Sequence, residues 1–406
     1  MSAILVAYDE ERGYPPYHPG PPYHPGMMAA LLLYAYCRGV CSSRQIARAC
    51  EERVDFMAVT GLQQPDFRTV AAFRRRHLAA LADLFGQVLR LCRAAGLVRL
   101  GHVAVDGTKL KANASRHRAT SYGRMAQAEA AEVSGWMDTA EAADAEEDAR
   151  CGADRRGDEM PEWVADKARR RARIRAAKAT LEAEAAEPPA PDGEDGPGPS
   201  SGMQRRGRPL RAKDGGPPNR AQRNFTDPGS RIQPTRDGFV QGYNAQAAVD
   251  AESQVIVAQR LVSGPADHPG LVPLVDQVGA RCGRRPREVS ADAGFCTEAN
   301  LAAVQQRRVA ATIPPGRARH GEASAAGRRA LKAKPLAMAM AAKLRRAGRR
   351  SRYRLRQQTV EPVFGRMKHA RGFRQFLLRG LDKVQGEWAF LCTAHNLLKL
   401  ARAAAA

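Results

Sequence analysis

The hydrophobic pattern of this 406-residue chain changes its period along the sequence, and that change limits the folds available to it. Residues 27–96 repeat apolar side chains at helical spacing, whereas segments after residue 222 are strand-like. Between them, residues 188–222 are rich in proline, glycine and serine, which predicts a flexible linker. The pattern predicts an α/β (α+β) chain: an all-helical domain, then a mixed sheet with flanking helices and a long helical or disordered insertion.

The helical block contains several amphipathic segments. MMAALLLYAYCRGV predicts a buried helix that stops near Gly39, and SSRQIARAC predicts a second helix with Ser42 or Ser43 as its N-cap. A long amphipathic pattern then covers 65–98. A helix-turn-helix-like DNA-binding module fits this block, and so does an ordinary bundle with a solvated basic face. The candidate DNA contacts on its polar faces are Arg44, Arg48, Arg74 and Arg75.

The second half predicts alternating strands and helices. Strands are expected over 101–106, 238–250, 253–262, 287–292 and 308–314, helices over 271–280 and 298–307, and two C-terminal helices within 359–380 and 387–402. The strands at 238–250 and 253–262 form a hairpin through Asp250 to Ser253. The last helix is strongly apolar and is expected to pack on the sheet.

Charge indicates the kind of partner. The chain has 65 Lys and Arg against 42 Asp and Glu, a formal net charge of +23. Such an excess favours a polyanionic partner, with nucleic acid first and an anionic membrane surface second. The longest apolar run, Met27–Cys37, is too short to span a bilayer, and the N-terminus does not resemble a signal peptide. We therefore expect a cytoplasmic protein whose eight scattered cysteines are reduced.

Three carboxylates lie at predicted strand ends or at a predicted helix start, where they are candidates for catalytic acids. Asp106 ends an apolar strand before Gly107, Asp292 ends another before Ala293-Gly294, and Glu361 follows Thr359, a plausible helix N-cap. Carboxylates from separate elements could bind two Mg²⁺ ions for phosphodiester chemistry. This spacing is weak evidence alone. Asp250, expected in a hairpin turn, and Asp267, expected in a loop, compete for the second position.

Several basic residues near these carboxylates are candidate DNA contacts. Lys368 lies seven residues after Glu361, on the same helix face, where a lysine can reach a phosphate at the metal site. Lys109 and Lys111 follow Asp106 and suit either backbone contacts or solvated surface. The stretch 307–356 is intensely basic with only Glu322 opposing, and we prefer phosphate contact to a solvated segment.

Four ordered motifs together resemble the DDE transposases of bacterial insertion sequences. They are AVDGTKLKANAS around Asp106, SRIQPTRDGFVQGYNAQAAVD at 230–250, SADAGF around Asp292 and VEPVFGRMK at 360–368. The block from PPYHPGMM to ACEE resembles the N-terminal transposase domain of that family. The resemblance covers roughly 15–400 and is weakest over 130–220. It implies an RNase H-like core, with Asp106, Asp292 and Glu361 as the metal-binding triad.

The chain departs from the family signature at one point. These families often place an arginine four residues before the glutamate, where this chain has Gln357. Arg356, one residue earlier, is the candidate substitute, and Lys368 keeps the expected offset. The start also looks short for this group.

The resemblance divides the chain and implies its function. The predicted units are a turn-rich segment 1–26, a helical DNA-binding domain 27–96, the catalytic domain in two parts at 101–129 and 223–402, and the insertion 130–222. The implied activity is Mg²⁺-dependent cleavage at element ends, with Mn²⁺ as an alternative ion, followed by strand transfer through transesterification. The implied partners are terminal inverted repeats, target DNA and further copies of the chain in a nucleoid-associated synaptic complex. A non-catalytic DNA-binding protein, either a decayed copy or a repressor, is the main alternative, and a structure-specific nuclease is the third.

Overall fold

The computed structural model describes residues 23–115, 119–125, 167–186, 217, 219, 221–235, 238–316, 334–348 and 351–405. Most of the predicted turn-rich segment 1–26 and of the predicted insertion 130–222 lies outside these residues. The helices are α1 (Pro25–Cys37), α2 (Ser43–Glu52), α3 (Val54–Thr60), α4 (Phe67–Arg76), α5 (Leu78–Ala94), α6 (Lys167–Ala186), α7 (Leu271–Cys282), α8 (Glu298–Gln306), α9 (Pro335–Ala347), α10 (Leu355–Gly365) and α11 (Leu381–Ala404). The strands are β1 (His102–Lys111), β2 (Ala119–Ser121), β3 (Gln222–Asn224), β4 (Arg231–Thr235), β5 (Gly238–Asp250), β6 (Ile256–Val262), β7 (Glu288–Ser290) and β8 (Ala310–Thr312).

The helical block follows the sequence pattern closely at its start. Helix α1 ends before Gly39, as predicted, and Gly39 has a positive φ of 78°. A Cβ at Gly39 would lie 2.8 Å from the Arg371 carbonyl oxygen, so this turn requires glycine for space as well as for backbone angle. The long amphipathic pattern forms two helices, because His77 leaves the helical region at φ −105°, ψ 18° between α4 and α5.

The main sheet has six strands and mixed direction. Its order is β4-β5-β1-β7-β8, with β6 also paired to β5. Strand β1 is antiparallel to β5 and parallel to β7, which is in turn parallel to β8. The predicted β5–β6 hairpin is confirmed. This curled mixed sheet with its helices is consistent with the predicted RNase H-like domain.

Two local predictions at the carboxylates are wrong. Asp106 does not end its strand, because β1 pairs with β5 as far as Lys111. Thr359 is not an N-cap: α10 begins at Leu355, and the Thr359 hydroxyl donates to the Leu355 carbonyl at 2.7 Å.

Pro362 therefore lies inside α10 rather than in its first turn. A proline there has no N–H for the carbonyl of Gln358, four residues earlier. The Gln254 side-chain amide donates to that carbonyl at 3.1 Å, from the turn between β5 and β6. A contact from a distant part of the chain thus compensates the break that local sequence signals predict.

The helical block and the sheet share one hydrophobic core through α11. This helix packs against α1, α5 and β6, and it buries Trp388 and Phe390 completely or nearly so. Packing of the last helix on the sheet is as the sequence predicts. Its packing on the helical block, which the sequence did not predict, is more extensive. Among the described residues, no helix has the length and hydrophobicity needed to cross a bilayer.

A buried polar network crosses this shared core. Arg74, 5% exposed, donates to the Tyr36 hydroxyl at 3.3 Å and to the Cys41 carbonyl at 2.9 Å. The Tyr36 hydroxyl donates to Glu387, 1% exposed, at 3.4 Å. Burial raises the pKa of Glu387, and the Arg74 charge opposes that rise. The network links α1 and α4 to α11.

We expect Arg74→Met to lower the free energy of unfolding by about 3–5 kcal/mol, because it removes the charge that favours ionised Glu387 and leaves the buried Cys41 carbonyl without this donor. Arg75→Met is the matched control: Arg75 is exposed, so we expect a change within about 0.5 kcal/mol. Urea unfolding of both variants tests this. Equal stabilities would show that the network contributes nothing.

The buried His395 makes the free energy of unfolding depend on pH. His395 is 1% exposed and donates from Nε2 to the Gln254 carbonyl at 2.9 Å. Burial, with help from Arg371 and Lys399, lowers its pKa to about 3. A depressed histidine pKa gives stability that is complete above the unfolded value of about 6.5 and lost as pH falls toward 3.

From pH 7.5 to pH 5 we therefore expect the parent to lose about 1–2 kcal/mol more unfolding free energy than His395→Gln loses. Comparing the two proteins cancels the other groups that titrate in this range. Parallel pH dependences in parent and variant would contradict the buried, neutral histidine.

Candidate active site

The pairing of β1 with β7 brings two of the predicted acids to one rim of the sheet. The parallel register runs from His102 opposite Glu288 to Ala104 opposite Ser290. Two residues further along each segment are Asp106 and Asp292. Strand β7 has ended by then, and Asp292 caps a short 3₁₀ turn through a bond from the Gly294 amide at 3.0 Å. The rim beyond the carboxyl ends of parallel strands is where ligands of α/β sheets commonly bind.

The Asp106 and Asp292 carboxylates are partly buried, and the Asp292 charge acts on Asp106. Burial raises the pKa of Asp106 to about 6, with Asp292 and Asp267 raising it further and Arg356 lowering it. Burial and the Asp267 charge raise the pKa of Asp292, while Arg356 and Lys109 lower it. Two acids with raised pKa values at one rim are a candidate functional site.

Asp267 is a third acid at this rim, although the sequence placed it only in a loop. Its Oδ1 accepts from Asn244 Nδ2 at 2.6 Å and from Lys109 Nζ at 3.1 Å. Lys109 therefore belongs to the acidic cluster, and it also donates to the Pro265 carbonyl at 2.8 Å.

The glycines beside the two predicted aspartates make room for Asp267. A Cβ on Gly107 would lie 2.8 Å from Asp267 Oδ1. A Cβ on Gly294 would lie 3.1 Å from both Asp267 Oδ2 and Asp292 Oδ1. The sequence signal was therefore present: a glycine follows each aspartate by one or two residues, as expected where another group approaches the backbone closely.

Arg356 reaches the site from α10. Its Nη1 donates to Asp106 Oδ2 at 2.5 Å, and its guanidinium lies 5.8 Å from the Tyr353 ring centroid. The residue is 9% exposed, so its charge is directed at Asp106 rather than at solvent. Although shifted by one position from the family arginine, Arg356 is in contact with a predicted catalytic acid.

Glu361 is placed differently from the aspartates. It lies five residues after Arg356 on α10, which is about 140° around the helix, and its side chain is exposed. Among the described residues, no three His, Cys, Asp or Glu side chains form a group that could hold a metal. The described part of the structure thus brings Asp106, Asp292 and Asp267 to one rim, leaves Glu361 exposed, and forms a preformed three-acid metal group from neither set.

Lys368 lies against the active-site strand. The helix α10 continues into a π-helical turn over Arg366–Ala370, and Lys368 Nζ donates to the Lys109 carbonyl at 2.9 Å. Burial lowers the pKa of this amine. Lys111, at the end of β1, is exposed.

The four arginines predicted as DNA contacts in the helical block differ in accessibility. Arg44, Arg48 and Arg75 are exposed; Arg44 lies over the Phe67 ring and Arg48 pairs with Glu52 at 2.8 Å. The expected polar-face position of Arg74 is wrong, because its guanidinium is buried in the network with Tyr36. Arg74 is a core residue here and does not face a DNA backbone.

Two family models match this chain, one in each half of the fold. Residues 210–397 match the transposase DDE domain, and residues 5–76 match a transposase domain, DUF772. Asp292 and Glu361 lie within the first match, whereas Asp106 lies outside both. Comparisons with curated proteins and with solved structures gave no match. The two domain matches, together with the RNase H-like sheet, show that the chain belongs to the DDE transposases of insertion sequences.

Proposed function

We propose that this transposase cuts DNA at the ends of its element and joins the freed 3′-hydroxyl to target DNA, using Mg²⁺ held by Asp106, Asp292 and Glu361. The observation that supports the proposal most strongly is the pairing of Asp106 and Asp292 at one rim, where both pKa values are raised. Phosphodiester cleavage and transesterification need such carboxylates close to a basic surface.

The residues present fit a hard divalent cation. The DDE family generally uses a divalent metal, and carboxylate oxygens are the ligands that Mg²⁺ and Mn²⁺ prefer. A dication between Asp106 and Asp292 would replace their mutual repulsion with attraction. When bound, the metal would supply activation of the attacking oxygen and stabilisation of the leaving oxygen.

The surrounding residues would orient the acids and the DNA. Arg356 fixes the Asp106 carboxylate through its hydrogen bond, and Asp267 holds the Lys109 ammonium at the rim. Lys109 and Lys368 would contact phosphates next to the reacting bond. Arginine and lysine contacts of this kind set the position of DNA without reading its sequence.

Glu361 is the proposed third ligand, and it would join the aspartates through a movement of α10. Pro362 removes one helical hydrogen bond directly after Glu361, and a π-helical turn begins at Arg366. Both features weaken the regular hydrogen bonding of this helix and reduce the cost of reorienting it.

The helical block would bind the terminal inverted repeats through exposed arginines such as Arg44, Arg48 and Arg75. Cutting both ends of an element in one reaction would require further copies of the chain in a synaptic complex at the nucleoid. The position of Glu361, exposed and separate from the aspartates, is the observation that favours the alternative of a DNA-binding protein without catalysis. A nuclease would share the acids but would not join strands.

We expect Asp292→Asn to bind DNA carrying the element ends as the parent does, but to lose strand cleavage and strand transfer by about 100-fold or more. The substitution keeps the shape of the side chain and removes the charge that holds the ion. Gel assays of cleavage and joining in Mg²⁺, with binding measured separately, test this.

Asp382→Asn is the matched control, since Asp382 is an exposed carboxylate in the first turn of α11. It should bind, cut and join like the parent. If Asp292→Asn cuts as well as the parent, Asp292 has no catalytic role. If the parent itself binds but never cuts, the non-catalytic alternative is correct.

A further inference from the structure

A cavity lined by arginines opens at the end of β1 that lies away from the catalytic rim. Its volume is about 480 Å³, and its lining residues are Arg90, Arg93, Ala94, Val98, Leu100 and Arg284. Leu100 precedes β1 and has a positive φ of 52°, and β1 then runs about 13 Å from His102 to Asp106. The cavity is therefore separate from the site of strand cleavage.

The three arginines of this cavity, Arg90, Arg93 and Arg284, are exposed, and the buried Asp250 carboxylate, which accepts from the Leu100 amide at 2.7 Å, forms no ion pair with them. Arg93 Nη1 donates to the Arg281 carbonyl at 3.2 Å, and Arg284 Nη2 donates to the Arg99 carbonyl at 2.8 Å. These carbonyls fix the direction of two guanidinium groups without cancelling their charge. Among the residues that the structure describes, none of the three arginines forms an ion pair with an acid.

The positive charges converge on the junction of two helix ends. Arg90 and Arg93 lie in the last turns of α5, and Arg284 follows the end of α7. Arg93, Arg281 and Arg284 all lower the pKa of the Cys282 thiol at that end, against the effect of its burial. Helix C-termini tolerate nearby cations, but several cations in one cavity repel each other unless an anion joins them.

We propose that Arg90, Arg93 and Arg284 bind backbone phosphates of duplex DNA at a position distinct from the reacting phosphodiester. The proposal rests on the proposed function, because it requires the chain to act on DNA. Guanidinium groups match phosphate oxygens through two parallel hydrogen bonds. The length of β1 between the cavity end and Asp106, about 13 Å from His102, assigns this contact to DNA beyond the cleavage point, where it would hold the duplex in register.

The test is the salt dependence of binding of the full chain to a fluorescently labelled, non-specific duplex of about 30 base pairs. Log affinity falls linearly with log salt, and each lost phosphate contact reduces the magnitude of that negative slope by about one. We expect the magnitude of the slope to decrease by about 2–3 in the variant with Arg90→Gln, Arg93→Gln and Arg284→Gln. The corresponding triple lysine variant should keep the parent slope to within about one, which shows that the loss arises from charge rather than from misfolding.

The control carries Arg124→Gln, Lys383→Gln and Arg402→Gln, three exposed residues outside the proposed DNA contacts, with the same loss of charge. Its slope should change by less than about one. A parent-like slope in the cavity variant would mean that the arginines only stabilise helix ends, and an equal fall in the control would mean that net charge alone matters. Loss of inorganic phosphate binding by calorimetry with an unchanged DNA slope would also overturn the proposal. Because no cleavage is measured, a parent that fails to cut would refute the proposed function and leave this result standing.

Discussion

The parallel pairing of β1 with β7 is the interaction on which the site depends. Three residue pairs of this register are enough to place Asp106 and Asp292 side by side just beyond the end of the shorter strand. Their charges would repel, and the molecule offsets this with Arg356 from α10 and Lys109 from β1. The geometry of the rim is thus set by the sheet, while its charge depends on Lys109 of β1 and on Arg356, which approaches from α10.

The second organising element is α11, which ties the helical block to the catalytic sheet. Gln254, in the turn between β5 and β6, also contacts it: its carbonyl accepts from His395, and its side-chain oxygen accepts from Lys399 at 3.0 Å. The same side chain donates to α10 at the carbonyl left open by Pro362. One turn therefore connects the last helix to the helix that carries Arg356 and Glu361.

Local patterns predicted the elements well and the long-range contacts poorly. The hairpin, the buried first helix and the Asp106 and Asp292 segments follow from apolar periodicity and from Asp-Gly signals. Asp267 and Arg356 reach the rim only through tertiary packing, although the glycines beside the aspartates indicated a close approach. Arg74 was misplaced for a reason that the sequence contains: Arg74, Arg75 and Arg76 span about 200° of a helix, so one of them must approach the buried face. The start of α10 at Leu355, which places Pro362 inside the helix, could not be predicted from local sequence. The carbonyl that Pro362 leaves open accepts from the Gln254 side chain, which lies about a hundred residues earlier in the chain.

The central claim is that Asp106 and Asp292 act together as the ligands of one divalent cation site. The most direct measurement is Mn²⁺ binding to the full chain without DNA, by calorimetry or by the electron paramagnetic resonance of the free ion, in the parent, Asp106→Asn, Asp292→Asn and Asp382→Asn. The account predicts that each active-site substitution weakens Mn²⁺ binding by about tenfold or more, the range found when groups that support a metal site are changed. The Asp382 variant should bind as the parent does. Equal Mn²⁺ affinity in all four proteins would contradict the account, because the paired carboxylates would then hold no metal.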